Sequence, residues 1–363
     1  MASSISSVSQ IDVAWLNEAL RSAGRLKSEV TGVAVETIGS GVGLMGELGR
    51  LRLSYAGEED LPDTMIAKCA AQTPENKGVA QVLDFYNREV NFYNNIAADC
   101  PMRVPVSYFG KVYDDTYDCA ILMEDLGDVT PRDQIEGASI DDAHHAVQDI
   151  AAMHTQYWGK ARQPEYAWMY DFQSEAEAAR LRDMVYMPAL EPALSNFSEL
   201  IPPSLKKVCK EVGERYVEFW AQRQSPHETF VHGDYRQDNI IYIEDQDSKI
   251  RSIVMDWQIS GVGKGVFDVT YFLCQSLPSD VRAKVEKDLV EDYFEALCRD
   301  GVSDYTFNEC WEDYRLFVLG CLIYPITVCG TLDLANERGR ALATVMLERN
   351  LAAIHDLNCV DLM

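Results

Sequence analysis

At 363 residues, with 47% hydrophobic and 25% charged side chains, the chain is long enough for two hydrophobic cores and lacks the apolar depletion that keeps a polypeptide unfolded. Its formal net charge of -26 opposes phosphodiester backbones and anionic lipid, so neither nucleic acid nor a membrane surface is expected as a partner. Ten cysteines without a CxxC pair or a histidine at ligand spacing argue against a disulfide framework or a zinc site, and buried thiols are expected instead.

The opening residues, MASSISSVSQIDVAWL, contain no basic stretch followed by a continuous apolar one, so a cytoplasmic protein is expected. Residues 33–38 and 48–55 read as strands flanking a glycine-rich turn, and residues 64–69, after the turn at Pro62-Asp63, read as a third strand. Val79, Val82, Leu83, Tyr86, Val90 and Tyr93 recur at helical spacing and predict one amphipathic helix over 79–97. Strands at 104–109 and 119–124 follow. Beyond Asp125 the texture changes to long helical stretches interrupted by a β-like insert near 240–257. The expected organisation is an N-terminal lobe over 1–124, with an N-terminal helix and a small five-stranded antiparallel sheet, and a larger, mainly helical lobe over 125–363. The 17 uncharged residues over 316–332 reach only the lower limit of a membrane span. Gly320, Pro325 and Gly330 interrupt them, which predicts a kinked helix inside the core.

Three features carry chemistry. Gly39-Ser40-Gly41-Val42-Gly43-Leu44-Met45-Gly46 contains GxGxxG but runs into a strand, where a dinucleotide fold would require a helix. A strand, glycine turn and strand can cover nucleotide phosphates, and a plain hairpin would use the same glycines. Lys68 lies in an apolar strand, where an edge lysine reaching water is the bland reading. Glu89 lies on the apolar side of the following helix, and pairing the two answers the desolvation cost of both. The third feature is Val231-His232-Gly233-Asp234-Tyr235-Arg236-Gln237-Asp238-Asn239, followed by Ile253-Val254-Met255-Asp256-Trp257. Phosphoryl transfer needs a carboxylate beside the attacking hydroxyl and oxygen ligands for Mg²⁺, and this order of Asp, Asn and Asp supplies them. His232 reads as a loop-holding residue and His154 as a core histidine, while Arg236 could brace the loop or meet an anionic substrate.

HGDYRQDN with VMDWQ resembles the aminoglycoside phosphotransferase and choline kinase superfamily, whose signature is HGDxxxxN and then a strand ending in (I/V)DW or (I/V)DF. ILMEDLG at 121–127, AMHTQYW at 152–158 and GKGVFDVTYFL at 263–273 resemble its ecdysteroid kinase-like branch and the phosphotransferase domains fused to some acyl-CoA dehydrogenases. The resemblance covers the chain from about residue 30 and implies a protein-kinase-like α+β fold of two lobes. It makes Asp234 the catalytic base, and Asn239 and Asp256 the Mg²⁺ ligands. Lys68 would contact the phosphates of ATP with Glu89 holding it, Gly41 and Gly43 would cover them, and the linker near Met123, Glu124 and Leu126 would meet the adenine. Asp268 would brace the catalytic loop. The glycine turn is longer and richer in glycine than in many relatives.

The function implied is ATP- and Mg²⁺-dependent phosphorylation of a hydroxyl on a small molecule. A catalytically silent nucleotide-binding pseudokinase is the alternative, and it predicts a broken set where Lys68, Glu89, Asp234, Asn239 and Asp256 are all present. Protein kinase activity is disfavoured because Asp256 leads into 263–273 without a long activation loop. The acceptor is expected to be largely apolar or acyl-type, against a wall of Trp311, Phe317, Tyr324 and the run 316–332, which would equally serve as lobe core.

Overall fold

Asp12 accepts a hydrogen bond from the Trp15 N–H at 2.7 Å and so starts α1 (Val13–Ser22) of the computed structural model, which describes residues 2–38, 45–129, 131–221, 227–244, 250–331 and 336–363. Residues 1–129 with 255–259 form one unit, and residues 130–254 with 260–363 form a second.

In the first unit, β1 (Val30–Ile38), β2 (Gly46–Tyr55), β3 (Thr64–Ala70), β4 (Ser107–Tyr113) and β5 (Asp118–Glu124) make one antiparallel sheet in the order β1-β2-β3-β5-β4. Alternation along β3 turns Met65, Ala67 and Cys69 into the core that Trp15 and Leu16 of α1 cover. Each large apolar side chain buried there contributes about 1.5–3 kcal/mol. The same alternation turns Lys68 to the opposite face of the sheet. Strand four begins later than the pattern at 104–109 predicts: Pro105 has no N–H for a ladder, and pairing starts at Ser107, with a register shift before Phe109.

The single helix predicted over 79–97 is instead two, α2 (Pro74–Val82) and α3 (Phe85–Asn95). Asp84 separates them with φ 57°, a left-handed conformation that aspartate tolerates better than most residues. Its carboxylate accepts from Asn87 Nδ2 at 2.7 Å and Tyr117 Oη at 3.0 Å. The break turns Tyr86, Glu89, Val90, Phe92 and Tyr93 inward and leaves Val79 and Val82 exposed.

The second unit is built around α9 (Val266–Ser276), every residue of which is buried. Helices α4 (Ile140–Tyr157), α10 (Ser279–Arg299), α11 (Phe307–Gly320) and α13 (Glu337–Asp356) pack about it, with α5 (Glu175–Leu181), α6 (Met187–Asn196), α7 (Pro203–Glu214), α8 (Tyr216–Ala221) and α12 (Ile323–Thr331) completing the helical set. Two short ribbons accompany them, β6 (Thr229–Val231) with β9 (Gly261–Gly263) and β7 (Ile240–Glu244) with β8 (Ile250–Val254). The uncharged run 316–332 is divided between α11 and α12, with Pro325 in the first turn of α12, where its missing N–H costs little. Phe307–Thr331 is the one stretch among the described residues long and apolar enough to cross a membrane, and 56% of its most apolar window is buried. All ten cysteines remain thiols.

Candidate active site

Lys68 stands in β3 opposite Leu48 and Ile121, and Gly46 makes room for its stem: a Cβ at Gly46 would lie 3.1 Å from Lys68 Cε. Its ammonium donates to Glu89 of α3 at 2.7 Å and lies 3.4 Å from Asp256 Oδ1. Burial opposes the charge on Lys68, but Asp256 and Glu89 outweigh it and hold the lysine above its usual pKa. Burial pushes Glu89 up from the carboxylate range, with Lys68 pulling the other way. The two partners thus differ: the ammonium has two carboxylates and is firmly charged, whereas Glu89 has one cation and also faces Asp256. Asp256 takes φ 63°, and the next residue, Trp257, stacks face to face on Phe92 of α3 with ring centroids 3.8 Å apart and planes 5° from parallel.

The linker after β5 is tied to β2. Arg50 lies 2.9 Å from Asp125 and 3.1 Å from Asp128, and donates to the Gly127 carbonyl at 2.9 Å. Met123 and Glu124 end β5, with the Glu124 carboxylate held by Arg103 and the Val106 N–H, and Leu126 lies within the linker. Gly41 and Gly43 lie outside the described residues.

In the second unit, residues 232–239 run between β6 and β7. Gly233 turns the chain at φ 83°, a conformation glycine adopts at no steric cost. The buried Asp268, in the first turn of α9, accepts the His232 N–H at 2.7 Å and the Gly233 N–H at 2.9 Å. His154 sits 3.2 Å from the same carboxylate through Nε2 and 2.8 Å from Tyr293 Oη through Nδ1. Gly265 has no space for a side chain, since a Cβ would fall 2.4 Å from Tyr293 Oη and 2.6 Å from His154 Nδ1. His232 Nδ1 accepts the Asp234 N–H at 3.2 Å, and the Tyr324 hydroxyl donates to the Gly233 carbonyl.

Asp234 and Asn239 meet directly. Asn239 Nδ2 donates to Asp234 Oδ2 at 2.9 Å and to its carbonyl at 2.8 Å. Arg236 Nε lies 3.2 Å from Asp234 Oδ1, and the same guanidinium reaches Asp238 at 2.8 Å and Gln134 Oε1 at 2.7 Å. Burial opposes the Arg236 charge, but Asp234 and the other neighbours raise it above the usual arginine value. Burial, and then Asp234, push the Tyr271 phenol well up. Tyr271 stacks on Tyr324 with centroids 4.0 Å apart.

The predicted site residues therefore gather as two sets: Lys68, Glu89 and Asp256 in the first unit, and Asp234 with Asn239 in the second. Gln134 and Arg349 belong to the support of the latter, and sequence reasoning misses them. Gln134 donates its N–H to Asp238 at 3.0 Å and receives Arg236 on its side chain and Arg349 on its carbonyl at 2.7 Å. Arg349 also donates to the carbonyls of Gln275 at 2.8 Å and Ile135 at 3.1 Å, and burial lowers it to about 10. Its one sequence signal is its position on the buried side of α13, between Met346 and Ala353.

Solved structures share this fold. The chain is similar to choline kinase from Cryptosporidium parvum Iowa II (14% identity, 91% of this chain and 92% of that one, TM-score 0.55). It is similar also to Plasmodium vivax ethanolamine kinase (11%, 88% and 81%, TM-score 0.51) and to an amicoumacin kinase in complex with AMP-PNP, Ca²⁺ and Ami (13%, 87% and 87%, TM-score 0.51). Identities this low carry the protein-kinase-like fold alone. A comparison with curated proteins gives no match. Residues 40–301 match the ecdysteroid kinase-like family, the loop 232–239 and Asp256 among them, and on that match the chain belongs to the ecdysteroid kinase-like family.

Proposed function

We propose that this protein transfers the γ-phosphate of ATP to a hydroxyl of a small molecule, with Mg²⁺. The observation that carries the reading is Asp234: a carboxylate on a loop fixed by Asp268, bonded on Oδ2 by Asn239 and flanked by Arg236. Such a group suits a catalysis made mainly of positioning and electrostatics. In this reading the acceptor hydroxyl gives its proton to Asp234 Oδ1, while Lys68, steadied by Glu89, binds the phosphates. Residues 1–124 bind the nucleotide, with Met123, Glu124 and Leu126 at the adenine, and residues 125–363 bind the acceptor.

The donor chemistry fits Mg²⁺. Asp256 leaves a third of its side chain exposed, and Asn239, whose Nδ2 is engaged by Asp234, offers an amide oxygen. Among the described residues no cluster of three or more His, Cys, Asp or Glu forms an all-protein cage, as suits an ion that takes few protein oxygens and completes its shell with phosphate and water. When bound, Mg²⁺ neutralises charge on the phosphate oxygens.

A largely apolar or acyl-type alcohol is the proposed acceptor. Phe317 is core and so leaves the expected wall, whose other named rings, Trp311 and Tyr324, are partly exposed, as are Leu316, Ile323, Thr327 and Val328 of the uncharged run. Choline, ethanolamine and amicoumacin kinases among the similar structures favour a small-molecule acceptor in general. Ten cysteines kept as thiols accord with a reducing compartment such as the cytoplasm. The test is a panel of hydroxyacyl-CoAs, hydroxysteroids and kanamycin-type amines screened for Mg²⁺-dependent ADP release. Turnover should appear with the apolar alcohols and fall about 10²- to 10⁴-fold in Asp234→Asn with nucleotide affinity retained, the cost of losing a positioned base. Turnover of the amines alone rejects the acceptor class, and parent rates in Asp234→Asn reject the catalytic assignment.

A further inference from the structure

Helix α3 sends two inward side chains, one turn apart, to the surroundings of Asp256. Glu89 holds Lys68, which lies 3.4 Å from the Asp256 carboxylate. Phe92 lies flat on the Trp257 indole at 3.8 Å and 5°, and both rings are fully buried. Asp256 is covalently joined to that indole's residue and takes φ 63°, a left-handed conformation that costs aspartate less than most residues but still needs its neighbours to keep it in one place. The carboxylate itself is one-third exposed. The rigid part of the segment is therefore the buried ring after Asp256, not the Asp256 side chain.

We propose that Phe92 is a positioning residue for Asp256: its stack on Trp257 holds the left-handed backbone at 256 and so presents the carboxylate to Mg²⁺. The inference rests on the reading of Asp256 as a Mg²⁺ ligand. A ring is required at 92 because a face-to-face contact fixes the orientation of the indole as well as its depth. A branched aliphatic side chain would fill the space without fixing that orientation.

Calorimetric binding of AMP-PNP to the full chain, across a series of Mg²⁺ concentrations, tests this in Phe92→Leu, Phe92→Tyr and Asp256→Asn. Phe92→Leu should raise the Mg²⁺ needed for half-saturation about 10- to 100-fold, the usual cost of removing the support of a metal ligand. Its affinity for AMP-PNP without Mg²⁺ should be unchanged, and Phe92→Tyr should behave as the parent chain. Phe92→Leu with parental Mg²⁺ dependence, or with AMP-PNP weakened equally with and without Mg²⁺, overturns the proposal, as does Phe92→Tyr behaving like Phe92→Leu. Asp256→Asn separates the two claims, because parental Mg²⁺ dependence there overturns the ligand reading itself. Should Phe92→Leu not fold, Phe92→Met takes its place with the same expected result.

Discussion

Lys68 and Glu89 illustrate how a buried pair can be indispensable without being a source of stability. Glu89 is 2% exposed, so Lys68→Met would leave a carboxylate in the interior without its cation. Unfolding in urea should show a loss of about 3–5 kcal/mol for that variant. Lys68→Met with Glu89→Leu should recover most of the loss, since both desolvation costs disappear together, while nucleotide affinity stays low in both. A double variant no more stable than the single one would mean that the strain lies elsewhere. Because Lys68 is held above its usual 10.5 in the folded chain, the charged pair's contribution is fully present below that pH and declines only as pH rises through the still higher folded value. An alkaline fall in nucleotide affinity that begins below 10.5 would therefore come from another group.

At the scale of elements, the division between α2 and α3 aims Glu89 and Phe92, and its pivot is a single left-handed residue. Asp84→Asn should be nearly neutral in urea unfolding, whereas Asp84→Ala should cost about 1–2 kcal/mol, because alanine resists that backbone region and offers no acceptor to Asn87 and Tyr117. Equal stability of the two variants would show that the break does not depend on residue 84. The sequence makes Lys68 and Glu89 legible because charged groups are costly in an apolar strand and on an apolar helix face, Asp256 because it ends an apolar strand, and Asp234 and Asn239 through their spacing on one loop. It hides the helix break, because Asp84 looks like any solvated helical position and its left-handed φ has no periodic signature. The offset of β4 was open to a reader who gave Pro105 its full weight. Gln134 and Arg349 are hidden for a different reason: they satisfy backbone carbonyls and the Arg236 guanidinium over 74 to 215 residues of chain, and such bonds select no neighbouring residue type.

Taken whole, the molecule is strongly acidic, and its candidate site follows the same balance within each unit. Lys68 faces Glu89 and Asp256, and Arg236 faces Asp234 and Asp238, so each cation is outnumbered by carboxylates and a polyphosphate gains from a divalent ion. The reach of Arg349 has a practical corollary for anyone dividing this chain into pieces. The family match stops at residue 301, yet the Tyr324 hydroxyl on the Gly233 carbonyl and the Arg349 guanidinium on the carbonyls of Gln134, Ile135 and Gln275 both come from beyond it. A fragment ending at 301 would keep every residue of the signature and lose the bolts behind it. Such a fragment should show no cooperative thermal transition and no Mg²⁺-dependent ADP release, whereas full activity in it would mean that the last 62 residues are dispensable. Homology boundaries and mechanical boundaries are different lines on this protein, and the second lies at least as far along as Arg349 of α13.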